Sequence, residues 1–486
     1  LSSQLVAQSA DFLPKLWKKG VEISEQAEDY FGEFEGSGSD SPIQSITDLA
    51  KGAGQSITFR TMSGLYGDGV QGDEIIGDNA EAFRVGSFSL EVDYLRHATA
   101  HNLRTEDQTA LISELKAGVP EQLGKWLGRK KTERLQMMFI KSGGVDNTAF
   151  ANGKGSRDLL KSADTISMDT IISGGQRLKT LGARPAMVNK IGPNKINRFI
   201  VVGLGEGLVS LKNSADYRQA LNLAGVRGDE NPIFSGGYVD VNGHVIREFN
   251  PLDHDGFGAV GSAMNPKAYL GAAITNPTAG FNIFGGGNST AAAVKARYFE
   301  FFSNYAYRFT PSNQLAADST QRYLLIVNLT GANAGKYGFY GFTGNGLDAN
   351  GFNVLTVNKM LIPSTGTADS FKVKSLGLVT PTANGPWDDA KITNSHPEGS
   401  MILECNAAGV PIGRSLILGA NAAVRGYGRF RNERTEEKLD GEFLKKTYIT
   451  SVFGQSPYKR VDGRFPNYLV VEHAMPYAGI PLPLIA

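Results

Sequence analysis

Two stretches of this chain alternate strictly between apolar and polar positions. Ile57 and Phe59 alternate with Ser56, Thr58 and Arg60, and Phe88, Leu90, Val92 and Tyr94 alternate with Ser89, Glu91 and Asp93. A period of two marks a strand that buries one face, so strands are predicted over Ser56–Thr61 and Ser87–Leu95. Between them lies an acidic, glycine-rich stretch, Ser63 to Gly86. Most connections run about 4–6 residues, and much longer ones tend to be functional or disordered. Gly64, Gly67, Gly69, Gly72 and Gly77 also withhold the side chains a private core would need. The expectation is a long hairpin ordered by something outside the chain's own core, with a solvated surface hairpin as the plain alternative.

Helical periodicity appears on both sides. Phe12, Leu13, Leu16, Trp17 and Val21 recur at helical spacing within residues 1–35. They are followed by Glu22, Glu25, Glu28, Asp29, Glu33 and Glu35, and then by the break from Gly36 to Pro42. Such a short amphipathic arm is marginal alone and calls for a packing partner. Further on, Thr105 with Gln108 resembles a capping box, Gly118 and Pro120 interrupt, and a helix is predicted from Glu121 to Lys141. At 1.5 Å per residue it is a rod of about 30 Å. Leu123, Trp126, Leu127, Leu135, Met138 and Phe139 form its packing stripe. Lys125, Arg129, Lys130, Lys131 and Arg134 give it a basic exposed face, a pattern that usually means solvation.

Downstream the order is α+β. A helix is predicted through Ile171, Ile172, Leu178 and Leu181, a strand over Phe199–Val202, and a helix around Asp216–Leu223. Tyr238–Phe249 reads as a hairpin turning on Asn242-Gly243. Residues 277–412 differ, with glycine-rich turns and β-type runs at Tyr323–Leu329, Val354–Val357 and Phe371–Val379, and read as an inserted β-rich domain. The chain then returns through apolar Leu416–Val424, charged Arg429–Lys438 and strand-like Tyr448–Phe453 and Tyr468–Val471.

Composition narrows the classes. A length of 486 residues suits two or three domains. With 49 basic against 48 acidic side chains, no global field exists to attract nucleic acid, which argues against sequence-specific DNA binding. Cys405 is the sole cysteine, which excludes an intrachain disulfide framework and a cysteine-rich zinc site. No apolar run approaches the roughly 20 residues of a spanning helix, and no signal-peptide pattern opens the chain, so a cytoplasmic product without a membrane partner is expected. The start at Leu1 rather than methionine fits proteolytic maturation and mere numbering alike.

Candidate chemistry is sparse. Gly203-Leu-Gly205-Glu-Gly207 follows an apolar run as a dinucleotide turn would, but Leu208 stands where the third glycine or alanine belongs. Asn152-Gly153-Lys154-Gly155-Ser156 lacks the hydroxyl that must follow the lysine of a phosphate loop. His97 and His101 have helical i, i+4 spacing but no third ligand nearby, and Asp253-His254-Asp255 lacks a nucleophile. A glycosidase carboxylate pair has no signal of its own, and the glycosylation patterns at Asn288 and Asn328 lack a secretory context. No catalytic residue, cofactor or metal ligand is assigned.

Several ordered pieces carry a resemblance. Ser41-Pro-Ile-Gln-Ser-Ile-Thr-Asp-Leu-Ala50, Gly54-Gln-Ser-Ile-Thr-Phe59, Gly69-Val-Gln-Gly-Asp73, Gly77 and Arg96-His97-Ala98 resemble major capsid proteins of tailed bacteriophages, in particular the family typified by the podophage N-four coat protein. Asn231-Pro-Ile-Phe-Ser-Gly236 and Leu416-Ile-Leu-Gly-Ala-Asn-Ala-Ala-Val-Arg-Gly-Tyr-Gly428 continue the order. The similarity spans about residues 10–270 and 413–475, while 277–412 match nothing in it and Gly77-Asp-Asn-Ala-Glu81 is less acidic than the family pattern.

The resemblance implies a Hong Kong 97-like α+β capsid fold with an inserted β-rich domain. Its parts would be an N-terminal arm (1–50), an extended loop (51–104), a peripheral domain with a spine helix (105–165), a peripheral/axial domain (166–276), the insertion (277–412) and a return to the axial/peripheral domain (413–486). It implies a non-enzymatic shell protein that partners itself as hexamers and pentamers around double-stranded DNA contacted non-specifically. Scaffold, portal and decoration proteins are further expected partners, with assembly in the host cytoplasm and final location in the virion. A strand pair with about 12 residues per leg reaches roughly 40 Å, enough to lie across a neighbour. Asp68, Asp73, Glu74, Asp78 and Glu81 are therefore expected to meet Lys125, Arg129, Lys130, Lys131 and Arg134 of an adjacent subunit. An encapsulin-like nanocompartment shell and, more distantly, a secreted β-rich hydrolase or adhesin are the alternatives.

Overall fold

The computed structural model describes residues 29–47, 56–65, 81–102, 112–142, 145–161, 163–191, 194–219, 243–249, 322–329, 336–347, 353–360, 395–406, 410–428, 433–439 and 444–475, with short pieces at 67, 69, 72, 239–241, 264, 267–270, 273–274, 281–285, 294–297, 331 and 333–334. The expected helical arm before residue 29, the capping box, Asp253-His254-Asp255 and Phe371–Val379 lie outside them. The chain divides into two compact units: 1–138 with 186–195 and 420–467, and 139–185 with 196–419 and 468–486.

The first unit is built on a mixed sheet. Its order is β1 (Glu35–Gly36), β2 (Ile43–Ile46), β19 (Ala423–Tyr427), β21 (Leu444–Pro457) and β20 (Glu433–Leu439), with β5 (Asp93–Asn102) also paired to β21. A separate antiparallel pair, β3 (Ser56–Met62) and β4 (Val85–Glu91), joins the two alternating runs, with Phe59 opposite Phe88 and Met62 opposite Val85. Alternation fails at one place. Val92 lies outside both β4 and β5, so the inward phase slips by one: Leu90 and Leu95 are buried, while Tyr94, expected inside, is 55% exposed.

Helix α1 runs over Ile112–Ser142 and continues through Pro120, which was expected to interrupt it. Proline lacks the N–H that would bond the carbonyl four residues earlier, so the helix forgoes one rung there. Burial along α1 comes in pairs four residues apart, at 123–124, 127–128, 131–132, 135–136 and 139–140. Leu123 and Leu127 pack with Leu95, Tyr427, Ile449 and Phe453. Lys131, Thr132 and Gln136 occupy the same buried rows, so polar side chains interrupt what would otherwise be a plain apolar stripe.

The second unit carries a sheet in the order β6 (Thr148–Phe150), β22 (Tyr468–Ala474), β18 (Ile412–Leu418), β8 (Asn194–Leu204), β10 (His244–Phe249) and β9 (Val239–Val241). β7 (Ala186–Ile191) precedes β8 in the chain. β9 and β10 form the expected two-residue hairpin, with Gly243 at a φ of 82°. Helices α2 (Met168–Thr180) and α3 (Gly205–Asn213) cover the sheet through Ile171, Leu178, Leu208 and Leu211 on Phe199, Val201, Ile417 and Leu469. Ser167 caps α2 by accepting from the Thr170 amide at 3.2 Å.

A closed barrel completes this unit, in the order β11 (Lys267–Leu270), β13 (Val294–Arg297), β12 (Phe281–Gly285), β16 (Asn353–Met360), β15 (Tyr337–Leu347), β14 (Arg322–Val327) and β17 (Met401–Cys405). Its first strand precedes the expected boundary at 277, because β11 closes the barrel against β13 and β17.

Candidate functional site

The β3–β4 hairpin has two unlike ends. At its base Phe88 and Leu90 are buried on Val424, with Ile46, Phe59 and Tyr458 around them. The strands beneath carry glycine where the hairpin approaches closely: a Cβ on Gly426 would stand 2.5 Å from Leu90 Cδ2, and one on Gly454 would collide with the Glu91 carbonyl oxygen. At the far end the polarity reverses. Met62 is 67% exposed, Leu65 58%, Phe83 62% and Val85 60%. Of the acidic residues expected to make contacts, Glu81 instead accepts the Gly67 amide at 2.8 Å, a bond that closes the loop on itself. Asp68, Asp73, Glu74 and Asp78 lie outside the described residues.

The basic face of α1 is smaller than its sequence suggests. Lys125 pairs with Glu121 at 2.6 Å and Lys130 with Glu133 at 2.9 Å, both within the helix. Arg129 is half-buried, and the Arg134 guanidinium lies 5.6 Å from the Phe453 ring centre. Lys131 is not on this face at all. It is fully buried, with Nζ 5.1 Å and 5.3 Å from the centres of the Tyr427 and Phe453 rings. The reason is position: Lys131 falls midway between Leu127 and Leu135 in the covered row. His97, which with His101 sits on strand β5 rather than on a helix, stacks on Trp126 at 4.4 Å. Burial and the nearby Lys130 push its pKa down.

Two buried ionic clusters escaped the sequence reading. In the first unit Arg425, fully buried, pairs with Asp29 at 2.5 Å and with Glu35, whose carboxylate also accepts the Tyr427 hydroxyl at 3.0 Å. Asp29 further accepts from the Thr132 hydroxyl on α1 at 3.2 Å. Asp29 and Glu35 belong to the acidic run that follows the arm's apolar positions; here they tie residues 29–36 to β19 and α1. In the second unit Arg157 and Arg414 meet Glu404 and Glu472. Arg157 donates to Glu404 Oε1 and to Glu472 Oε2, each at 2.8 Å. Arg414 donates to Glu404 at 2.8 and 2.9 Å and to Glu472 at 3.3 Å. Burial pushes the Glu472 carboxyl up, but Arg157 and Arg414 outweigh it and hold the group below the usual carboxylate range.

The glycine run from the end of β8 into α3 has a packing explanation. A Cβ on Gly203 would stand 2.9 Å from Leu208 Cδ2, and one on Gly207 2.9 Å from His473 Cε1. His473 in turn contacts Ser415 Oγ through Nε2 at 3.0 Å and the Ala474 carbonyl through Nδ1 at 3.2 Å. A carbonyl only accepts, so Nδ1 carries the proton and Nε2 accepts from serine. Both side chains are buried, and burial lowers the His473 pKa to about 4. In the barrel, His396 is similarly enclosed by Tyr340 and Asn328, each at 2.7 Å, with its pKa lowered to about 4 by burial. These are satisfied packing contacts. Asn328 is wholly buried in this network, which closes its glycosylation pattern to an acceptor role. Among the described residues no group of three or more His, Cys, Asp or Glu could hold a metal ion, and no helix is long and apolar enough to cross a membrane.

A family model described as phage capsid protein matches residues 4–154, the stretch holding the hairpin and all of α1. The capsid of Ralstonia phage GP4 superposes with a TM-score of 0.51 at 13% identity, covering 92% of this chain and 91% of that one. The fold is that of a phage capsid protein. The capsid asymmetric unit of cyanophage Pam1 agrees, with a TM-score of 0.51 at 12% identity and 93% of each chain covered. The likeness to these capsids covers the mixed α+β architecture as a whole. In sequence, the major capsid protein of Pseudomonas phage KPP25 is 28% identical over 44% of this chain, and the chain spans 65% of that relative's length.

Proposed function

We propose that this chain is the major capsid protein of a tailed phage, which assembles with copies of itself into the icosahedral shell around a double-stranded DNA genome. The observation that carries the reading is the likeness to phage capsids over more than nine-tenths of the chain, joined to a hairpin whose far end is apolar and exposed. In Hong Kong 97-like terms, β3–β4 is the extended loop, α1 the spine helix, residues 1–50 the N-terminal arm, and the two units supply the peripheral and axial parts. The N-four type is favoured by the ordered motifs from Ser41 to Gly428. Scaffold, portal and decoration proteins are the further partners of such a shell, assembled in the host cytoplasm and located in the virion.

The contact between subunits is expected to be mixed rather than purely ionic. Met62, Leu65, Phe83 and Val85 supply apolar area, each fully covered side chain contributing about 1.5–3 kcal/mol. Asp68, Asp73, Glu74 and Asp78 would face Lys125, Arg129, Lys130 and Arg134, where exposed pairs contribute about 0–1 kcal/mol apiece and act mainly on register. Purified protein viewed by electron microscopy after size-exclusion chromatography tests the function: rings or closed particles are expected, and a persistent monomer overturns it. Charge reversal at Lys125 and Lys130, with assembly followed at two salt concentrations, tests the ionic part. Unchanged particles with an unchanged salt response would remove it.

A further inference from the structure

Both stems of the barrel segment return to one place on the second unit's sheet. On entry, the Met264 carbonyl accepts the Arg414 amide of β18 at 2.8 Å. On exit, Asn406 donates to the carbonyls of Leu160 at 2.7 Å and Arg157 at 3.2 Å, while its own backbone closes on Val410. Between the stems Ile274 and His396 exchange two backbone hydrogen bonds of 2.7 and 2.8 Å. At this meeting point sits the Arg157–Glu404–Arg414–Glu472 cluster. Glu404 belongs to the last barrel strand, Arg414 and Glu472 to neighbouring strands of the sheet, and Arg157 to the segment beside them.

The chemistry of this cluster differs from that of a surface bridge. The two guanidiniums and two carboxylates balance in charge. Arg157 and Arg414 each reach both carboxylates, and the side chains are between 0% and 12% exposed. Buried charges are held in one geometry because any tilt that parts them leaves an uncompensated ion out of water. Backbone stems alone would leave torsional freedom. We propose that this quartet is an orientational lock, which fixes the barrel to the sheet so that the inserted region acts as a rigid strut of the subunit rather than a tethered appendage. The inference rests on these contacts and is independent of how subunits assemble.

The test is a distance distribution measured by pulsed electron spin resonance. Spin labels are placed at Ala334→Cys, exposed on the barrel, and at Lys179→Cys, exposed on α2, in the full chain. Cys405 is buried and stays unlabelled. A narrow distribution is expected in the otherwise unchanged protein, widening at least about twofold when Glu404→Gln and Glu472→Gln uncouple the quartet. Hydrogen exchange within β14, β15 and β17 should stay unchanged, which separates loss of orientation from loss of the barrel. If the double variant does not fold, Glu404→Gln alone is read by the same criteria. A distribution already broad at the outset, or one equally narrow in a folded variant, overturns the lock.

Discussion

Lys131 and Lys130 are neighbours with opposite fates. Reversing Lys130 exchanges its pair with Glu133 for a like-charge contact, a cost of about 1 kcal/mol or less that lowers the melting temperature only slightly, and should act on assembly. Lys131→Glu places a buried carboxylate against the Tyr427 and Phe453 rings and should abolish soluble folding; Lys131→Met should restore it. Thermal melts of the three variants decide this. Protonation supplies a second check. His396 and His473 are held near pKa 4 against 6.5 when unfolded, so their contribution is complete above pH 6.5 and declines as pH falls toward about 4. Glu472, depressed below 4.5, adds stability above that value which is lost as pH falls through its folded pKa. The melting temperature should therefore start to drop below pH 6.5 and fall further below about 4.5. His473→Gln should make the upper limb shallower, with His396 sustaining the remainder, and leave the lower one.

At the scale of elements, the hairpin was legible because Ile57, Phe59, Phe88 and Leu90 obey one period, and the β9–β10 turn because Asn242-Gly243 is a local signal. Helix α1 was read short, since Pro120 looked like a stop and packing carries the helix past it. Its buried face was misread for a related reason. Side chains four apart share a row whatever their polarity, and Lys131, Thr132 and Gln136 are buried by partners that no local pattern reveals. Gly426 and Gly454 did carry a signal: glycine inside a strand marks a close backbone approach, here of β4. The exposed end of the hairpin yields its own prediction. Met62→Ser with Phe83→Ser should leave the subunit's unfolding free energy within about 0.5 kcal/mol per site, while light scattering shows assembly delayed or lost.

For the whole molecule, the illegible part was long-range pairing. Arg425 meets Asp29 across 396 positions and Arg157 meets Glu472 across 315, distances over which composition and periodicity are silent. The barrel's β character was visible in Tyr323–Leu329 and Val354–Val357, but its closure through β11 was not. Excision of residues 267–405 also removes Glu404, so Arg157 and Arg414 would share a single carboxylate. Adding Arg157→Gln restores balance and should raise the melting temperature of the excised chain, as differential scanning fluorimetry would show. A last consequence follows from the order of the strands. The chain changes unit at 138/139, 185/186, 195/196, 419/420 and 467/468, and β19, β21 and β22 are interior to their sheets. Neither unit can close until those strands leave the ribosome. A chain cut before β19 thus lacks interior strands of both sheets and cannot finish either core.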